Sequence, residues 1–155
     1  MSTTTTNRPA AGVIEPRNLI NPNLFDQLAT RISDEHQMPI EHAERVMEQA
    51  LGFLYTCALN PDAALSPSPQ VDIAWHAFIL HTRPYAEFCE TVAGRFLHHV
   101  PDDGDDGDSA EAAQRIGLTL DAMRAADLPV DAELWLTNGK CSQCYAGCAS
   151  DPRRV

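Results

Sequence analysis

Apolar residues recur along this chain at helical spacing, and the recurrences are punctuated by prolines and capping residues. Asn21 followed by Pro22 has the form of an N-cap and first-turn pair, after which Leu24, Phe25, Leu28 and Ile32 return on one face; this predicts a first helix ending near Asp34. Pro39 opens a second, in which Ile40, Ala43, Met47, Ala50, Leu51 and Leu54 share a face while Glu41, Glu44, Arg45 and Glu48 point outward. That helix must stop before Pro61, because a proline disfavours helical geometry in the residue ahead of it. The Pro- and Ser-rich connection that follows reads as a loop.

Ser68 and Pro69 repeat the cap signature, and Val71, Ala74, Trp75, Phe78 and Ile79 then form a wide buried stripe. Thr82 with Pro84 restarts the pattern, so a bend is expected at His81 and Thr82. The next helix carries Tyr85, Phe88, Cys89 and Val92 inward and stops at Gly94. Phe96 to Val100 reads as a short extended or irregular return. Asp108 and Glu111 have capping-box spacing ahead of a helix with Ile116, Leu120 and Met123 on one side, ending near Asp127. Leu134, Trp135 and Leu136 supply a last apolar anchor, and Thr137, Asn138 and Gly139 turn the chain out of the domain. No strand alternation appears. The economical architecture is all-α: one compact domain of about five helices over residues 18–137, preceded by a disordered leader (1–17) and followed by a Cys-containing tail (138–155).

Composition narrows the function. A length of 155 residues is enough for one core without disulfides. A net charge of -11 with only 11 Lys and Arg speaks against a nucleic-acid partner, since phosphate binding needs clustered cations. No apolar run is long enough to cross a bilayer, and the start MSTTTTNRPAAG has no signal-peptide character, so the expectation is a cytoplasmic protein without a membrane partner. The acidic stretch DDGDDGD resembles a calcium loop but lacks the spacing and the closing Glu of an EF-hand.

Chemistry concentrates in two places. Between Val71 and Pro101 lie four of the six histidines: His76, His81, His98 and His99. Asp72 and His76 are one helical turn apart and project from the same face, which suits two metal ligands or a carboxylate orienting an imidazole. The plainer account is a first-turn Asp favoured by the helix dipole beside a structural His. His81 is about 140° around from His76 on an ideal helix and joins it only if the chain bends; otherwise it caps a helix end. His98 and His99 point to opposite sides of an extended segment. His98 is favoured for the site because Phe96 should share its face and point inward. In the tail, Cys141, Cys144 and Cys148 of CSQCYAGC form a CxxC pair plus one, a zinc-knuckle half-site or a redox set. Cys57 and Cys89 sit among large apolar residues as packing.

The stretch VDIAWHAFILHTRPYAEFC, followed by GRFLHHVP, also resembles the glycine-rich domain-containing protein-like family at Asp72, Trp75, His76, His81, Thr82, Tyr85, Cys89, His99 and Pro101. That resemblance implies a helical domain of largely unassigned biochemistry. The chain lacks the glycine-rich extension that names the family, so no role of that extension carries over.

The resulting expectation is a small metal-binding helical protein whose His and Cys residues collect zinc or another transition metal. Two alternatives remain: a non-enzymatic module that meets a protein partner, its histidines merely structural, and a thiol redox accessory acting through Cys141 and Cys144. The residues point to a site and name no reaction.

Overall fold

The structure, a computed structural model, describes residues 14–100 and 109–136. They form a turn of 3-10 helix (Pro16–Leu19) and six α-helices: α1 (Pro22–His36), α2 (Ile40–Leu59), α3 (Pro69–Ile79), α4 (Thr82–Ala93), α5 (Ser109–Ala125) and the short α6 (Ala132–Trp135). Among the described residues there is no strand, and the all-α architecture expected from the periodicity is the one that forms.

The punctuation acts as its chemistry dictates. The Asn21 side chain accepts from the Asn23 N–H at 2.8 Å and caps α1. That helix runs two residues past Asp34, because Gln37 adopts the left-handed conformation (φ 52°) and its N–H returns to the Ser33 carbonyl. Ser68 caps α3 by accepting from the Val71 N–H at 3.2 Å. Gly94, at φ 67°, ends α4 in the left-handed region that favours glycine. The cap expected at Asp108 lies outside the described residues.

The long helix α2 is the centre of the domain: α1, α3, α4 and α5 all pack on it. Its inward face is wider than the sequence pattern suggested. Val46 and Phe53 are buried beside the expected residues, whereas Ile40, at the helix start, is exposed. Phe25, Leu28 and Ile32 of α1, Val71, Trp75 and Phe78 of α3, Tyr85 and Phe88 of α4 and Met123 of α5 complete one continuous core. Burial of this much apolar surface is the main driving force for the fold.

Both ends of the domain add to the expectation. Pro16 and Arg17, assigned to the leader on composition, pack into the domain. Pro16 is buried near Gly52, and the Arg17 guanidinium lies 4.4 Å over the Phe25 ring and pairs with Glu48 at 3.1 Å. The last apolar anchor is a helical turn, α6, and what fixes it is polar. Buried Gln49 of α2 donates to the Pro129 carbonyl (3.1 Å) and accepts from the Asp131 N–H (3.1 Å) and the Trp135 indole N–H (2.7 Å). Arg45 grips the Asp131 carboxylate with two nitrogens, at 2.7 and 2.9 Å. Ser68 Oγ donates to the Leu134 carbonyl at 2.7 Å, so α6 is fastened to the start of α3.

Candidate metal centre

Asp72 and His76 stand one turn apart on the outer face of α3, as their spacing requires. The extended return after α4 crosses this face and brings a third donor. His99 Nε2 lies 2.7 Å from Asp72 Oδ1 and 2.9 Å from His76 Nε2, and His76 Nε2 lies 3.3 Å from Asp72 Oδ2. These three residues form the one cluster among the described residues that could hold a metal ion. Exposure grades across it: the His99 side chain is 14 % exposed, Asp72 29 % and His76 59 %. One edge is therefore seated in the protein and the other faces solvent.

His99 is positioned by a relay of buried hydrogen bonds. The Trp75 indole N–H donates to the Tyr85 hydroxyl at 2.9 Å, and that hydroxyl donates to the Leu97 carbonyl. The Leu97 N–H in turn reaches Cys89 Sγ at 3.4 Å. Both backbone groups of Leu97 are thus held by α4, and His99, two residues on, emerges on the same side of the extended segment. The Trp75 ring walls the site, with its centroid 4.4 Å from that of His99. Burial raises the Tyr85 phenol pKa above its usual 10.0, so the hydroxyl remains a donor across the neutral range.

The structure selects among the four histidines. The alternation between His98 and His99 holds, but its phase is the reverse of the expected one. Leu97 is buried and takes His99 inward with it, whereas Phe96 and His98 are exposed and stack on each other at 4.8 Å. The cause lies in α4: the outer edge of Tyr85 receives Phe96 at 5.2 Å, and the hydrogen bonds of Tyr85 and Cys89 draw Leu97 into the core. His81 stands at the expected bend, outside the cluster, with Nδ1 3.2 Å from the Ala77 carbonyl, the contact of a helix-end cap. Cys89 is buried, and Cys57 is half-buried. Cys141, Cys144 and Cys148 lie outside the described residues. Trp75 and Tyr85, read from the sequence as core, also support the site. Nothing in the local pattern distinguishes those two duties.

The fold and cluster define a small helical domain that presents an Asp-His-His constellation at the junction of α3 and the segment after α4. The chain belongs to the UCP032817-like family, whose model matches residues 16–116, from the 3-10 turn into α5 and across all three donors. This match overturns the resemblance to the glycine-rich domain-containing protein-like family. That likeness rested on nine scattered positions, whereas the family match runs through most of the domain. The family description carries no activity. No curated protein and no solved structure matches the chain. No helix among the described residues is long and apolar enough to cross a membrane.

Proposed function

We propose that Asp72, His76 and His99 bind a divalent transition metal, with zinc the foremost candidate, and that the helical domain serves to hold these three donors at its surface. One observation carries this reading: His99 Nε2 faces two partners at once. An imidazole nitrogen has a single in-plane site, which is either an N–H or a lone pair. If His99 Nε2 is protonated, its single hydrogen must be shared between the Asp72 carboxylate and a His76 lone pair, which weakens both contacts. If it accepts from a protonated His76, its lone pair is opposed at 2.7 Å by the Asp72 carboxylate. A cation placed among the three takes a lone pair from each and removes the conflict.

The dimensions fit such an ion. Metal–ligand bonds of about 2.0–2.1 Å place neighbouring donors roughly 2.9 Å apart at right-angle geometry and roughly 3.3 Å apart at tetrahedral geometry. The edges of the donor triangle, 2.7, 2.9 and 3.3 Å, need move by only a few tenths of an ångström. Two imidazoles and a carboxylate are borderline-to-hard donors that suit zinc, iron and cobalt better than copper(I). Three protein donors leave a fourth position open.

The test is titration of the metal-free full-length chain with zinc, followed by calorimetry and elemental analysis. One metal per chain is expected. The Asp72→Asn/His76→Ala double variant, altered at partly exposed positions and therefore folded by circular dichroism, is expected to lose it. A folded wild-type chain that stays metal-free at saturating zinc would sink the proposal.

A further inference from the structure

We infer that the solvent side of this centre takes a small exogenous monoanion that chelates the ion through two oxygens, as a 2-oxo carboxylate or a hydroxamate does. The inference rests on the metal-binding reading above and names the ligand of the same site. Its first support is the angle between the two imidazoles. The Nε2 atoms of His76 and His99 lie 2.9 Å apart. With metal–nitrogen bonds of about 2.0–2.1 Å, that separation subtends roughly 90° at the ion, whereas a tetrahedral pair would stand roughly 3.3–3.4 Å apart. A right angle between neighbouring donors belongs to an ion with more than four ligands.

The carboxylate is the second support. Asp72 turns a different oxygen to each ring: Oδ1 lies 2.7 Å from His99 Nε2, and Oδ2 lies 3.3 Å from His76 Nε2. Both oxygens therefore border the place that an ion would take between the rings, and the narrow bite of a chelating carboxylate does not fit a tetrahedron. The fold is the cause. Asp72 and His76 are fixed one turn apart on α3, while His99 arrives from the return after α4, so the carboxylate stands between donors of two elements. Two imidazoles and one carboxylate gathered on one face of an ion are the donor set that keeps adjacent positions for exogenous ligands in non-haem ferrous centres, and zinc itself can expand beyond four ligands.

Exposure and charge select the ligand. His99 is the most buried of the three donors and is backed by the buried Trp75 ring, so the ion is closed on that side. His76 is 59 % exposed. The positions beyond the protein donors therefore adjoin on the solvent side, where a single molecule can span two of them. With the outer imidazole this exposed, the ion supplies the affinity and not an enclosing wall, which suits a small ligand. A divalent ion held by one carboxylate and two neutral imidazoles carries one net positive charge, which a monoanion neutralises. Joining two oxygens in one molecule makes the second bond intramolecular, at an effective concentration on the order of millimolar or above, so a chelator outcompetes simple anions.

Cobalt(II) loaded into the full-length, metal-free protein separates this inference from the one beneath it, because four-coordinate cobalt absorbs intensely in the visible and more highly coordinated cobalt absorbs weakly. Stoichiometric cobalt with weak bands is expected. Acetohydroxamate should then change the spectrum until each cobalt holds one molecule. It should bind at least about tenfold more tightly than acetate, a monoanion of like size that forms no five-membered chelate ring. The Asp72→Asn/His76→Ala variant, which lacks two of the three donors, should show no response. Intense four-coordinate bands that acetohydroxamate leaves unchanged overturn the inference and leave the three-donor site standing, and so does equal affinity for acetohydroxamate and acetate. A response that persists in the double variant means that the cobalt sits elsewhere on the chain, and the chelate centre is wrong. No cobalt uptake by the wild-type chain removes both readings.

Discussion

Replacing Tyr85 with Phe removes one oxygen atom and tests how the site is built. The ring stays, with its edge contacts to Phe78 at 5.1 Å and Phe96 at 5.2 Å, so no large cavity opens. What is lost is the acceptor of the Trp75 indole N–H and the donor to the Leu97 carbonyl, both buried. An orphaned buried polar group costs about 1–3 kcal/mol, so the pair should destabilise the domain by roughly 2–5 kcal/mol, a large share of a typical stability of about 5–15 kcal/mol. At about 2–4 °C per kcal/mol for a chain of this size, the melting temperature should fall by roughly 4–20 °C. Thermal unfolding followed by circular dichroism on the metal-free protein reads this directly. The second consequence is specific to the site: with Leu97 released, His99 loses its register against Asp72, and metal affinity should weaken by about 10–100-fold, the usual effect of removing an outer partner of a ligand. The comparison variant is Gln49→Leu, which destabilises the domain without altering any of the Trp75, Tyr85 and Leu97 hydrogen bonds. If Tyr85→Phe and Gln49→Leu lower metal affinity equally, or if Tyr85→Phe changes neither stability nor affinity, the relay from Trp75 to His99 does not position the ligand.

Other consequences are equally measurable. Gln49→Leu leaves the Trp135 indole, the Asp131 N–H and the Pro129 carbonyl without their buried partner, and urea titration should show a loss of roughly 3–9 kcal/mol; a loss below about 1 kcal/mol would mean that water replaces the amide. Two glycines should respond with opposite signs. Gly52→Ala places a methyl in ordinary contact with Met123 (3.4 Å) and Pro16 (3.5 Å) inside α2 and should stabilise by about 0.5–1 kcal/mol, whereas Gly94→Ala forces a side chain onto φ 67° and should destabilise by about 1 kcal/mol; thermal melts of the two variants check the ordering. Burial pushes the Cys57 thiol from 9.0 up to about 12, against the pull of Arg95. The folded state therefore keeps this proton where the unfolded chain has released it. The Cys57 contribution to stability is intact below pH 9 and declines as pH rises from 9 toward 12, and a Cys57→Ala variant should show a shallower alkaline loss than wild type. In the native chain at pH 8, Cys57 should alkylate far more slowly than in urea.

Local chemistry was legible from the residues because it depends on near neighbours alone. The caps at Asn21 and Ser68, the stop at Gly94, the break at His81 and the helical period of α2 each follow from dihedral preference and spacing within a few residues, and each is found in the structure. So does the shared face of Asp72 and His76, which lie on one rigid helix. The choice between His98 and His99 was not legible. Alternation fixes that the two diverge, but the phase is set by Tyr85 and Cys89 reaching across from α4 to hold Leu97, a contact between elements. The double duty of Trp75 and the role of Gln49, whose partners lie some eighty residues away in sequence, were hidden for the same reason. Periodicity specifies which residues turn inward along one element, while the meeting of donors from different elements depends on how those elements pack, and packing is decided by the whole core at once.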